Sequence, residues 1–170
     1  MSEFPRIYAL RTLPSEPQVL TATAEECAAL ARRFALVAVK CLTATITLVA
    51  DGATVRANGM LDADIVQSCA VSGEDLPVRI AAPVTLRFVP AVPLAPTDEA
   101  VELSADELDD IAMDGTQFDL GEALAQELAL AIDPYAEGPG AAEARRKAGI
   151  SSEGEIGPFA GLAALKKSLE

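Results

Sequence analysis

The chain of 170 residues has no His and no Trp, only three Cys, and aromatics at 4%. Without imidazole it cannot build a Ser-His-Asp or Cys-His pair, a His general base, or a metal site that needs a His ligand. Most hydrolase chemistry is thereby excluded. The three cysteines, Cys27, Cys41 and Cys69, are odd in number and include no C-x-x-C spacing. They form no disulfide framework and read as reduced thiols of a cytoplasmic protein. As small buried hydrophobes they need no further explanation, and that reading is preferred to a three-thiolate zinc site.

Long hydrophobic runs are also missing. Met1 to Arg11 lacks the apolar core of a leader peptide, and uncharged stretches such as Cys41 to Ala50 are about half of what spans a bilayer. No membrane contact is expected.

Base is scarce as well. Thirteen Lys and Arg stand against 26 Asp and Glu, a formal net charge of −13. Broad phosphate-backbone binding relies on cations that displace counterions, so any RNA contact must be local or indirect. The deficit is confined to one stretch. Between Arg87 and Arg145 there is no base at all, yet 14 of the 26 acids fall there. The rest of the chain is close to neutral. On composition alone a solvated acidic face is favoured; the functional reading is a surface, with Asp106, Asp109, Asp110, Asp119 and Glu122 as contact candidates, that meets a basic partner such as a ribosomal protein.

What is abundant is Ala, Leu, Val and Ile, within 51% hydrophobic residues. Thr23 and Glu26 have capping-box spacing, and Cys27, Leu30, Ala31 and Phe34 share a side, which predicts a helix over 24–34. From Leu42 the pattern alternates strictly with Thr43, Thr45 and Thr47. Asp51-Gly52 supplies a hairpin turn, and Val55 to Ile65 alternate in turn. Gly59 inside that run suggests a bulge or bend, and Cys69 falls on the apolar parity of its strand. The sheet continues through Val78 to Phe88, with Pro77 and Pro83 marking edge or bulged positions. Pro90, Pro93 and Pro96 form an extended connector.

Ser104 and Glu107 head a short acidic turn or helix to about Met113, and Asp114-Gly115 is a turn. Asp119 then N-caps a helix from Leu120 that Pro134 must end. On a helical wheel Leu130, Ala123, Ala131, Leu124 and Leu128 make its apolar face, and Glu127 lies about 20° from Leu120, inside that face. A carboxylate there needs a partner; Arg56, Arg79 and Arg87 are candidates. A general acid or base is the sharper reading of Glu127, and it lacks a second group at a defined distance.

The stretch 136–157 has no apolar period and reads as a flexible linker. Phe159, Leu162, Leu165 and Leu169 then line one side of a final helix, begun by Pro158 and closed by Lys166 and Lys167, that docks on its own domain or in a partner groove. The expected architecture is α+β: a curved, mainly antiparallel sheet, open or closed toward a barrel, with a few packed helices. One domain spans 1–135, followed by the linker and an amphipathic segment over 158–170.

Several stretches resemble the YceD-like family of large ribosomal RNA subunit accumulation proteins, in an alphaproteobacterial form. They are Gly59-Met60-Leu61-Asp62-Ala63 leading to Cys69-Ala70-Val71-Ser72-Gly73-Glu74-Asp75-Leu76, then Phe118-Asp119-Leu120-Gly121-Glu122-Ala123-Leu124 followed by Glu127 to Tyr135, and Pro158 to Lys166. Gly59, Cys69, Asp119, Leu120 and Glu127 are its motif positions. The resemblance implies a bacterial cytoplasmic factor supporting accumulation or processing of large-subunit ribosomal RNA, with a ribosomal protein or assembly intermediate as partner. Some members resemble metal binders through cysteines near the C-terminus. This chain has none after Cys69, so no metal or other cofactor is carried over. The resulting expectation is a non-enzymatic factor with an acidic protein-binding surface, candidate contacts including Phe159, Leu162 and Leu165. The alternatives are a carboxylate-dependent hydrolase or ribonuclease built on Glu127 with Asp62 or Asp64, and an adaptor acting through the C-terminal helix.

Overall fold

The computed structural model describes residues 2–91 and 110–150. It divides the chain into two compact units, Met1–Gln67 with Pro77–Asp133, and Ser68–Leu76 with Pro134–Glu170.

In the first unit, helix α1 (Ala24–Arg33) begins as its sequence predicts. The Glu26 N–H donates to Thr23 Oγ1 at 3.2 Å and the Thr23 N–H donates to the Glu26 carboxylate at 2.8 Å, satisfying two otherwise orphaned donors. The helix ends in a Schellman arrangement. Leu36 N–H reaches Ala31 O at 2.9 Å, with Ala35 at φ 53°, a left-handed conformation usually given to Gly.

A long hairpin follows, β3 (Ala38–Asp51) and β4 (Thr54–Ser68), in antiparallel register with Ile46 opposite Gly59. The alternation buries Leu42, Ala44, Ile46, Leu48, Val55, Ala57, Leu61, Ala63 and Ile65 on one face and leaves Thr45, Thr47, Asn58, Met60, Asp62 and Asp64 exposed on the other. Against β3 no register shift occurs at Gly59; pairing runs through it, and the shift falls between Val39 and Cys41. Gly59 is required for closeness instead, since a Cβ would lie 1.9 Å from Thr45 O.

Strands β2 (Gln18–Thr21), β5 (Asp75–Pro90) and β6 (Asp110–Met113) complete an open sheet in the order β2-β3-β4-β5-β6. It does not close into a barrel. Strand β6 runs parallel to β5 and covers it only at Arg87–Pro90, so Pro77 and Pro83 lie on a stretch bordered by β4 alone among the described residues. Asp110–Met113 is thus a strand, where the capping-box spacing at Ser104 predicts a helix; 92–109, with most of the Pro-rich connector, lie outside the described residues. Alternation of Ile111 and Met113 about Ala112 suits a strand equally, and pairing with β5 decides it.

Strands β1 (Ile7–Ala9) and β7 (Gln117–Asp119) form a small antiparallel pair that leads into helix α2 (Leu120–Ala131). The buried face of α2 is Leu120, Gly121, Ala123, Leu124, Ala125 and Leu128, rotated from the expected one. Leu130 is 81% exposed and Glu127 is half-buried at the rim. Phe4 causes the rotation. It is fully buried, and a Cβ on Gly121 would lie 1.7 Å from its carbonyl oxygen, so the N-terminal segment occupies the side of α2 where side chains are smallest. Phe88 and Phe118, 4.3 Å between centroids, lie in the same hydrophobic core.

In the second unit, residues 136–150 are not all linker. Ala141–Lys147 form helix α3, with Glu143 in its first turn and Arg145, Arg146 and Lys147 in its last, an order that complements the helix dipole. Only Ala141 of this helix is buried, so charge rather than apolar periodicity marks it.

Candidate functional site

The acids between Arg87 and Arg145 divide into two sets. Asp98, Glu99, Glu102, Asp106, Glu107 and Asp109 lie outside the described residues, as do Phe159, Leu162 and Leu165. The contact candidates that are described each serve the fold. Asp119 caps α2, its Oδ1 accepting from the Glu122 N–H at 3.1 Å and from the Arg6 N–H at 2.8 Å. Glu122 receives both terminal nitrogens of Arg33, at 2.8 and 2.6 Å, and Arg33 also donates to Glu3 at 2.6 Å. The Arg33 guanidinium holds the Glu122 carboxyl down to about 2, well below the usual range. Asp110 takes two bonds of 2.6 Å from Arg87. Asp114 remains exposed in the turn before β7.

Glu127 lines a hollow of about 420 Å3 together with Asp110, Gln126, Leu86, Ile111 and Leu130. Of the arginines considered for it, Arg56 pairs with Asp51 and Arg79 is on the exposed side of β5, whereas Arg87 holds Asp110, which lines the same hollow as Glu127. Asp62 and Asp64 do not approach Glu127. They point out of β4, whereas their neighbours Leu61, Ala63 and Ile65 share the core with Leu124 and Leu128 of α2, so the sheet stands between the carboxylates.

Sequence parity places Cys69 in the core, and the structure buries it at 3% exposed. It is not among the residues of the large hydrophobic cluster; it belongs to the second unit, on the turn after β4. Its Sγ accepts the N–H of Ser72 at 3.4 Å and of Gly138 at 3.2 Å, while its own N–H donates to Glu74 O and its carbonyl accepts from Gly73. Ala70 N–H donates to Ala136 O, joining the same two chain segments. The Gly138 amide first, then the Ser72 hydroxyl and amide and the Val71 amide, pull the thiol down to about 6 against the opposing effect of burial. The amide dipoles aimed at the sulfur thus favour its anionic form. Gly138-Pro139-Gly140 is the part of this arrangement that periodicity overlooks. Its signal is a glycine pair around proline, a turn-forming composition that brings the Gly138 amide to 3.2 Å from the sulfur. Arg145 completes the unit by pairing with Glu137 through a 2.8 Å bond from Nη1.

Cys27 and Cys41 do not join this thiol. Cys27 is in the core under α1, where burial pushes its pKa up, and Cys41 is exposed on β3 beside Thr43. No group of three or more Cys, Asp and Glu side chains with metal-site geometry occurs among the described residues.

The order of these parts, a β4 strand running into the Cys69 turn and an Asp119-capped α2, coincides with a match to the family model described as large ribosomal RNA subunit accumulation protein YceD, over residues 57–166. The chain belongs to the YceD family. The matched range starts in β4, takes in Cys69, β5 and α2, and leaves β1, α1, β2 and all of β3 outside it. The family name ties the chain to accumulation of large-subunit ribosomal RNA. No curated protein and no solved structure matches the chain. Among the described residues no helix is long and apolar enough to cross a membrane.

Proposed function

We propose that this YceD-family protein acts in the cytoplasm as a non-enzymatic factor in large-subunit assembly, meeting a basic ribosomal protein through acids of residues 98–109. The distribution of partners among the acids supports this reading most directly. Asp110, Asp119 and Glu122 are engaged by Arg87, by backbone N–H groups and by Arg33. Asp98, Glu99, Glu102, Asp106, Glu107 and Asp109, six acids in twelve residues with no base among them, are the densest run of charge in the sequence and the contact this reading assigns to the partner. The separation of Glu127 from Asp62 and Asp64 by the sheet weighs against the hydrolase alternative, which needs two carboxylates on one substrate.

The test has two arms. Depletion of the protein is expected to lower large-subunit ribosomal RNA and distort the subunit profile in sucrose gradients; unchanged profiles would remove the cellular role. Replacing the six acids with Asn and Gln is expected to weaken binding to isolated large-subunit proteins, with wild-type binding falling as salt rises. Salt-insensitive binding that survives the replacement rejects the acidic contact while leaving the role standing.

A further inference from the structure

The outward face of the sheet carries charges that the fold does not use. Lys40, Asp62, Asp64 and Arg79 are all exposed there and form no ion pair among the described residues. Of the other described bases, Arg6, Arg33, Arg56, Arg87, Arg145 and Lys147 each have a carboxylate partner, while Arg11, Arg32 and Arg146 have none among the described residues and no unpaired acids clustered with them on one strand face. The four lie close together. Register places Asp64 opposite Cys41 and Asp62 opposite Thr43, and Asp64 and Arg79 line the same two hollows where β4 and β5 run side by side. Beside this cluster Val19, Thr45 and Met60 make a row across β2, β3 and β4, with Val19 67% and Met60 44% exposed, and Val49 is exposed further along β3.

Two positive and two negative side chains side by side suit neither nucleic acid, whose phosphates the aspartates would repel, nor a partner of single charge, which would satisfy only half of them. A second copy related by a two-fold axis supplies the opposite sign to each at once, which is the self-complementarity an isologous contact needs. We propose that this sheet face is a homodimer interface in which Arg79 of each copy meets Asp62 and Asp64 of the other across the β4–β5 seam, with Met60 packed beside them. Strands β3, β4 and β5 have 14, 15 and 16 residues. At about 3.4 Å per residue and 4.8 Å between strands, such a face is of the size that buries about 800 Å2 per partner in stable complexes.

The experiment is sedimentation velocity of the full chain over a dilution series, at low and high salt, for the wild type, Arg79→Asp, Asp62→Arg and an equimolar mixture of the two variants. The wild type is expected to dimerise and to dissociate as salt rises. Each variant alone sets like charges against each other and is expected to be monomeric. In the mixture the carboxylate introduced on β5 of one chain faces the guanidinium introduced on β4 of the other, while the native pair forms at the second site, so the dimer returns. Because both positions are exposed, folding is retained, and the mixture controls for it. A wild type that stays monomeric throughout, a dimer that both variants leave intact, or a mixture that fails to reassociate would each overturn the proposal.

Discussion

Cys27 and Cys69 are both buried, one in each unit, and their thiols shift in opposite directions. Around Cys27 the packing is apolar, so the charged form is penalised and the pKa rises. Around Cys69 the neighbours are backbone N–H groups, led by Gly138, and the charged form is favoured. Burial by itself therefore says little about a thiol's chemistry; what matters is whether the atoms that exclude water carry dipoles aimed at the sulfur. The same contrast separates the units as a whole. The first has an extensive hydrophobic core fed by a sheet and two helices; in the second the described residues are joined by hydrogen bonds and ion pairs around a turn and a helix that buries one alanine.

Removing the anchor of the first unit gives the largest expected effect. Phe4→Ala should cost about 3 to 5 kcal/mol in urea unfolding, because it empties a fully buried aromatic site beside Gly121, which has no side chain to fill it. A loss below about 1 kcal/mol would mean that the N-terminal segment is not part of the core.

Thiol titration sharpens the comparison next. Followed by ultraviolet absorbance in two chains whose single remaining cysteine is Cys69 or Cys27, Cys69 is expected to ionise near pH 6 and Cys27 above the ordinary thiol range. The consequences for stability have opposite signs. The lowered Cys69 value adds stability as pH rises from about 6 to the ordinary value of 9.0, whereas the raised Cys27 value takes stability away above the ordinary range. Ser72→Ala should move the Cys69 midpoint upward and leave Cys27 unchanged; coincident midpoints in the parent would erase the distinction drawn above.

A smaller effect comes from the carboxylates that tie the N-terminal segment to α1 and α2. Glu122 lies well below its ordinary value of 4.5, so its contribution is complete above that value and is lost as pH falls toward about 2. With both partners part-exposed, Glu122→Gln should cost about 1 kcal/mol at neutral pH and progressively less below pH 4.5. An equal loss at every pH would show that packing, and not the ion pair, is responsible.

The smallest change should be a gain. Ala35→Gly relieves a left-handed residue at the end of α1 and is expected to raise stability by about 0.5 to 1 kcal/mol in thermal or urea unfolding. No gain would mean that Ala35 makes compensating contacts.

Local rules made several of these features legible in advance. Thr23 and Glu26 marked the start of α1, Asp51-Gly52 the hairpin, alternation from Leu42 to Ile65 the buried face of β3 and β4, and Asp119 the start of α2. Each depends on residues within one element or one turn. Where a distant segment intervened, local reading went astray. Phe4 turned the face of α2 and left Leu130 in water, pairing with β5 made Asp110–Met113 a strand, and Gly138, 69 residues away, set an amide against the sulfur of Cys69, whose burial alone was legible.

Charge divides along the same line. The sequence by itself determined that the chain lacks imidazole chemistry, that its acidity is concentrated between Arg87 and Arg145, and that it carries the motif order of its family, because composition and spacing need no third dimension. Only the tertiary structure decided which of the described acids are engaged within the fold. Arg33 is 89 residues from Glu122 and Arg87 is 23 from Asp110, and no periodicity brings them together; the packing of α1 against the core and the parallel pairing of β5 with β6 do.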